Sequence, residues 1–512
     1  MIFVKLDEKT LWYDIYNVIR LFFSNDEIRL LETGEESDIY INDIMNIDSD
    51  YIYPGTVIKG GNFCVKIPDP GSFKPTNEEL IHHNELSQYE ELTKYKKLAQ
   101  HKELTRKVYI ALSEYTGRKM PWGMLTGVRP AKIPYEMMEE GMKQEEILEK
   151  MESWYMVSPQ KASLAYSVAK AERKILERNM KDMVSLYIGI PFCKTRCLYC
   201  SFTSNCINKN AHLVDKYLES LKREIKIIND DILRTRGLKI QTIYIGGGTP
   251  TSINAQQLES LLRFIEQTLD LKYLEEYTLE AGRPDTIDKE KLLVIKDSRV
   301  SRISINPQTM NIETLNAIGR SHTPEELEKA FYIARETGFD NINMDIIVGL
   351  PGENVAMFEN TLKKINSMNP ENLTVHALAV KKASKLKEEL DSSENLELKS
   401  LNLINDEMAK TMTDMAYQYA ISMGMYPYYL YRQKNIAGNL ENVGYCKPGL
   451  ESIYNIQIME EKQTIIAFGA GAVTKVFYPN ENRLERAFNV KNLDDYINRV
   501  DEMTQRKKKL LI

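Results

Sequence analysis

The sequence predicts an α/β protein built around a parallel sheet, with an α+β segment on either side of it. Between residues 182 and 385 apolar runs alternate regularly with helical stretches. Ahead of that block short β-rich pieces give way to helix, and behind it helices mix with glycine-rich strands. A loop holding three closely spaced cysteines follows directly on the first apolar run of the middle block. Strands and helices in alternation imply parallel strands joined by right-handed crossovers.

The first part, residues 1–181, is read as an N-terminal α+β domain. Strand-like pieces lie at 27–31 and 53–58. From Glu79 the pattern turns helical, with Leu86, Tyr89, Leu92 and Tyr95 recurring every third residue among Lys and Glu. The run Trp122-Gly123-Met124-Leu125-Thr126-Gly127-Val128-Arg129-Pro130-Ala131-Lys132 has the glycines and prolines of an ordered loop. A last helix runs on to Lys181.

The middle part, 182–385, offers apolar runs at 185–192, 240–245, 277–281, 302–305, 341–348 and 373–380. Val214, Leu218, Leu221, Ile225, Ile228 and Ile232 follow at steps of three and four, which is one apolar face of a helix. The final part, 386–512, is read as a C-terminal α+β domain. It has a Met-rich helix through Met408, Met412, Met415 and Tyr419, then strand-like sequence at 465–473. Its basic end, Arg506 to Lys509, reads as a solvated tail.

The formal charge is −6 with both signs interspersed, which argues against a nucleic-acid partner. Lys5, Asp7, Glu8 and Lys9 break the opening residues before any apolar core, so no secretory leader is expected there. No long uncharged apolar run is present, so no membrane span is expected. Only 6 cysteines occur in 512 residues and three sit in one loop, so no disulfide framework is expected. Cys64 and Cys446 read as isolated buried thiols. The expected location is cytoplasmic.

Chemistry gathers at the ends of the middle strands. Cys193, Cys197 and Cys200 form C-x₃-C-x₂-C. Three thiolates can hold a [4Fe–4S] cluster and leave its fourth iron open to a small ligand. A zinc site is the other reading, and it would ordinarily bring a second Cys or His pair at defined spacing. After the second strand comes Gly246-Gly247-Gly248-Thr249-Pro250-Thr251. Its bare backbone can close round a ligand or make a plain turn. Glu280 on the third strand and Asp345 on the fifth are carboxylates in apolar surroundings that need partners. For Glu280 these are a ligand amine or hydroxyl, or a salt bridge to Arg283 or Arg302. Gln308 follows the fourth strand, and Arg320 could meet a carboxylate by two parallel hydrogen bonds.

The run Tyr187-x₂-Ile190-Pro191-Phe192-Cys193-x₃-Cys197-x-Tyr199-Cys200, the glycine run, Gln308, Arg320 and the stretch from Asp345 to Gly352 resemble one family. It is the oxygen-independent coproporphyrinogen III oxidase/dehydrogenase family of the radical S-adenosylmethionine (radical SAM) superfamily. The Trp122–Lys132 run resembles its HemZ-type branch. The resemblance implies a partial (β/α)6 barrel, a [4Fe–4S] cluster on Cys193, Cys197 and Cys200, and SAM. It implies that Tyr187, Gly247 and Glu280 contact one SAM, and that Tyr199, Gly248, Thr249, Gln308, Arg320 and Asp345 contact a second. The implied activity is oxidative decarboxylation of two propionates of coproporphyrinogen III to vinyls, giving protoporphyrinogen IX. The implied partners are a tetrapyrrole and a one-electron donor such as flavodoxin or ferredoxin. Arg129, Lys132, Lys381 and Lys382 are candidates for pairing with the propionates. Two positions depart from the best-characterised members: Gly189 replaces a histidine and Phe202 replaces a fourth cysteine, with Cys206 nearby. Two further functions stay open: a haem-binding chaperone, with His376 as a candidate axial ligand, and a haem-modifying radical SAM enzyme.

Overall fold

In a computed structural model the protein is described over residues 2–5, 12–23, 28–30, 55–60, 63–68, 88–202, 204–379, 381, 384–386, 388, 406–433 and 440–511. The chain forms two compact units, Met1–Val128 with Met137–Leu164, and Arg129–Glu136 with Ala165–Ile512.

In the first unit β1 (Ile2–Lys5), β2 (Ile28–Leu30), β3 (Gly55–Gly60) and β4 (Phe63–Pro68) make a sheet of order β2-β1-β3-β4. The helix Trp12–Phe22 repeats apolar residues at helical spacing. It buries Ile15, Val18 and Ile19 in one core with Leu104, Val108 and Leu112 of the helix Gln88–Thr116. Its described residues begin at Gln88, and Glu79 and Leu86 of the expected helical stretch lie outside the described residues. The turn after Pro121 needs its glycine: Gly123 has φ +52°, and a Cβ there would stand 2.1 Å from the Tyr155 carbonyl oxygen.

The second unit holds β5 (Met183–Ile190), β6 (Phe192–Cys193), β7 (Asn205–Cys206), β8 (Lys239–Gly247), β9 (Glu276–Gly282), β10 (Arg302–Ile305), β11 (Ile342–Val348) and β12 (Asn372–Ala377). It continues with β13 (Tyr426–Arg432), β14 (Glu441–Cys446), β15 (Thr464–Phe468), β16 (Val473–Tyr478) and β17 (Arg483–Phe488). The six expected strands are β5 and β8 to β12. They lie side by side in chain order, each parallel to the next, in the arrangement expected of a radical SAM core. Their near-continuous apolar runs suit strands covered on both faces. The first ends at Ile190 rather than Phe192, because Pro191 has no N–H to donate to the ladder. Phe192–Cys193 instead pairs with Asn205–Cys206 as a separate ribbon.

The expected boundary at 386 does not separate compact units. The full sheet runs β13-β14-β12-β11-β10-β9-β8-β5-β15-β16-β17, so the last quarter of the chain extends both edges of the parallel core. Open strand edges present unpaired backbone groups, and β14 and β15 cover them. Residues Ala165–Lys181 also group with this unit rather than with the N-terminal part.

The basic end is not a solvated tail. It is the helix Val500–Leu511, in which Lys507 is wholly buried and paired with the equally buried Glu224. Tyr496 and Asn489 also donate to the Glu224 carboxylate, at 2.7 and 2.8 Å. The helix Ile453–Glu460 is anchored through its N-terminus to the central strand β9, where the Glu276 carboxylate accepts from Ser452 Oγ and the Ile453 N–H. Crossover helices start on side-chain caps: Asn254, Thr323 and Asn354 each accept the N–H three residues on. Among the described residues no helix is long and apolar enough to cross a membrane.

Candidate active site

The cysteine loop leaves β5 and is tied to the end of β8. The N–H groups of Gly248 and Thr249 donate to the carbonyls of Ile190 and Phe192 at 2.9 and 2.7 Å. A Cβ on Gly248 would lie 2.5 Å from the Phe192 oxygen, so only glycine lets the two loops approach this closely. The glycine run therefore makes the close turn that brings the two loops together beside the cysteines. Further along, Leu198 N–H donates to Ile318 O at 3.0 Å and Thr195 Oγ1 to Gly319 O at 2.9 Å.

Arg283 braces the loop from β9. It is buried, pairs with Asp285 at 3.0 Å, donates to Thr195 O and Oγ1 at 3.1 and 2.9 Å, and reaches Cys197 Sγ at 3.8 Å. In the sequence Arg283 stands out only as a partner for Glu280. Its ion pair is instead with Asp285, two residues on, and Arg302 reaches Leu450 O and Tyr428 Oη.

Cys193, Cys197, Cys200, Tyr199, Gly247, Gly248, Thr249, Glu280, Gln308, Arg320 and Asp345 all line one cavity of about 230 Å³. Of the expected site residues only Tyr187 stands outside that lining. It lies behind Gly247 (φ +110°), where an added Cβ would come 3.1 Å from its hydroxyl, and it stacks with Tyr244 at 6.3 Å. Cys206 is likewise not in the lining; its thiol points at the Lys194 carbonyl, 3.4 Å away. Cys446 is buried as expected, and the side chain of Cys64 lies outside the described residues.

Burial pushes the Cys193 thiol up to about 11 and raises Cys200, and in each the neighbouring thiols add to the rise. Three thiols lining one cavity become ligands once a cationic centre favours their ionised form. Among the described residues no three His, Cys, Asp or Glu side chains converge tightly enough for a single metal ion. A cuboidal cluster asks for less convergence, since each thiolate binds its own iron. The donor set of three thiols on one short loop fits a [4Fe–4S] cluster.

Arg320, also buried, donates from Nη1 to Asn306 O at 2.6 Å, and its charge is held by Tyr199 and Cys197. Its Nε and the Asn306 side-chain oxygen are buried without a partner. An unmatched donor and an unmatched acceptor side by side fit the carboxylate and ammonium of an amino-acid ligand such as the methionine part of SAM. Gln308 sits at φ +66°, a costly conformation for a side chain with a Cβ. It is held there because its N–H donates to Asp345 O at 2.9 Å and its carbonyl accepts from Ile347 N–H at 3.0 Å.

The two carboxylates differ in state. Burial raises Glu280 to about 7, opposed by a 2.5 Å hydrogen bond from Tyr244 and assisted by the charge of Asp345. Asp345 is held below the usual carboxylate range despite its burial. His376 stands 3.9 Å away, and Asn343 donates at 2.7 Å. His376 lines the cavity, with Tyr431 Oη 3.3 Å from its Nδ1. Tyr244 and Tyr431 carry no signal in the sequence, because tyrosine on an apolar strand has no distinguishing spacing.

Among the propionate candidates, Lys381 lines the cavity. Arg129 is committed elsewhere, donating to the carbonyls of Met459 and Glu460 at 3.1 and 2.8 Å, and Lys132 pairs with Glu136. Lys382 lies outside the described residues. Gly189 has a backbone reason: a Cβ there would stand 3.2 Å from the Phe468 carbonyl of β15. Phe202 is 66% exposed at the cavity rim.

Residues 187–365 match the family model of the radical SAM superfamily. The chain is 41% identical over 408 residues to the oxygen-independent coproporphyrinogen-III oxidase-like protein HemZ of Bacillus subtilis (strain 168), covering 79% of this chain and 80% of that one. It is 33% identical over 291 residues to the heme chaperone HemW of the same organism, covering 57% and 70%. Among solved structures it resembles coproporphyrinogen III oxidase (HemN) from Escherichia coli, described as a radical SAM enzyme. There the TM-score is 0.47 at 20% identity, over 66% of this chain and 73% of that one.

Proposed function

Because the chain belongs to the oxygen-independent coproporphyrinogen-III oxidase-like family of radical SAM proteins, we propose that it oxidatively decarboxylates propionates of coproporphyrinogen III to vinyl groups. When bound, the cluster and SAM supply the one-electron chemistry that removes a hydrogen atom from the propionate β-carbon. The propionate then loses CO₂, a proton and one electron, the electron passing to a one-electron acceptor, and the vinyl group is what remains; two rounds give protoporphyrinogen IX. The protein's part is to bind, orient and exclude water. Cys193, Cys197 and Cys200 hold the cluster. Gly247 and Glu280 serve one SAM, with Tyr187 packed behind Gly247, and Tyr199, Gly248, Thr249, Gln308, Arg320 and Asp345 serve a second. A small redox protein of the flavodoxin or ferredoxin kind delivers the electron.

The observation that carries this reading is the meeting, in one cavity, of three thiols with an unmatched guanidinium donor and two carboxylates of different charge state. A haem-capturing function has its own support: an exposed phenyl ring stands where a fourth cysteine would be, and the chain is also similar to a heme chaperone. The test is anaerobic incubation with SAM, a one-electron reductant and coproporphyrinogen III labelled in its carboxyl carbons. Labelled CO₂ with vinyl product supports decarboxylation. Tight haem binding with no vinyl product moves the function to haem transfer.

A further inference from the structure

Phe202 and Lys381 stand apart from the cofactor residues yet border the same cavity. A phenyl ring with two thirds of its surface in water forgoes the gain that burying it would bring. The Lys381 ammonium lies 5.7 Å from the centre of that ring, against its face. Lys381 is itself half-buried and lines the cavity together with Cys200, two residues before Phe202, so the pair sits on the cluster side of the cavity. Leu378 and Ile347 form an apolar wall in the same lining, backed by Ile318, Leu350 and Leu386. The mouth thus presents a flat apolar face, one cation fixed beside it, and an apolar wall.

We propose that Phe202 and Lys381 form a docking subsite for one carboxylate-bearing pyrrole ring of the tetrapyrrole. The ring covers Phe202 and its own propionate pairs with Lys381. A propionate reaches only a few ångströms beyond its ring, which matches an ammonium 5.7 Å from the centre of the Phe202 ring. The subsite rests on the tetrapyrrole reading given above, and it makes Phe202 a determinant of substrate binding rather than a lost cluster ligand. Aromatic anchors in partly desolvated sites carry a large share of binding energy, and a charged partner fixes the orientation.

The test is equilibrium binding of coproporphyrin III to the cluster-reconstituted protein, followed by porphyrin fluorescence, with the tetramethyl ester of the same porphyrin as the probe lacking carboxylates. Phe202→Ala and Lys381→Ala should each weaken binding of the acid by about tenfold or more, and Phe202→Tyr should restore it. The ester should bind more weakly than the acid and be indifferent to Lys381→Ala. Iron content and thermal melting establish that each variant is folded; if Phe202→Ala does not fold, Lys381→Gln and the ester comparison decide. Wild-type binding with unchanged affinity in the folded variants overturns the subsite and leaves the tetrapyrrole reading intact. Failure of the wild type to bind coproporphyrin III or haem overturns both.

Discussion

Replacing Arg320 by alanine should weaken SAM binding strongly while the cluster stays. The guanidinium is buried, with Nη1 spent on the Asn306 carbonyl at 2.6 Å and Nε left without a partner beside the cavity. A ligand carboxylate that satisfies such a donor gains a charge-assisted hydrogen bond of about 1.5–3 kcal/mol. Its loss therefore corresponds to roughly 10- to 150-fold in dissociation constant. Arg320→Lys keeps a charge beside Cys197 and Tyr199 but loses the planar fork, so it should fall between the two, about tenfold below wild type. Calorimetric titration of SAM into anaerobically reconstituted protein reads the affinity, and iron analysis of the same samples shows that the cluster is loaded. An Arg320→Ala protein with full iron and SAM affinity within twofold of wild type would refute the role given to this side chain.

Reconstituted wild-type protein should hold four irons and four sulfides, and Cys197→Ala should not, whereas Cys206→Ala and Cys446→Ala should keep the full complement by iron and sulfide analysis. Glu280 should lose its proton when a ligand ammonium arrives. SAM titrations near pH 6.5 in buffers of different ionisation enthalpy should show proton release that disappears in Glu280→Gln. The same raised value has a stability sign. The folded protein holds this proton between the ordinary carboxylate pKa and about 7, so this term stabilises at low pH and is lost as pH rises through about 7. Ligand-free Glu280→Gln should gain on wild type by about 3 kcal/mol in urea unfolding at pH 8 relative to pH 4, the two-and-a-half-unit rise converted at about 1.36 kcal/mol per unit. Lys507→Met leaves Glu224 buried and unpaired and should cost about 3–5 kcal/mol in the same assay, with little change in SAM affinity.

The middle of this chain is legible because its signals are short-range. Six apolar runs, each a few residues long, give parallel strands whose ends the structure moves by only a few residues. The cysteine spacing lies within eight positions, and the glycine run follows one strand later. What sequence reasoning misses depends on long-range pairing. Nothing local to 441–446 or 464–468 says that these strands close opposite edges of a sheet begun hundreds of residues earlier. Lys507 looks solvated beside Arg506, Lys508 and Lys509, and only the fold brings Glu224 to it. The site shows the same divide. Glu280, Gln308, Arg320 and Asp345 are visible as polar residues at successive strand ends. The tyrosines, His376 and Asn343 that set their charge and geometry are defined by neighbours on other strands.

Hydrogen transfer tests the central claim most directly. Coproporphyrinogen III carrying deuterium at the β-carbons of its propionates is incubated without oxygen with SAM, a one-electron reductant and the reconstituted protein, and the 5′-deoxyadenosine formed is weighed by mass spectrometry. Each 5′-deoxyadenosine should carry one deuterium and form in step with CO₂ and vinyl groups, and Cys197→Ala should form none of the three. Formation of 5′-deoxyadenosine without deuterium, and with the propionates intact, would contradict that claim.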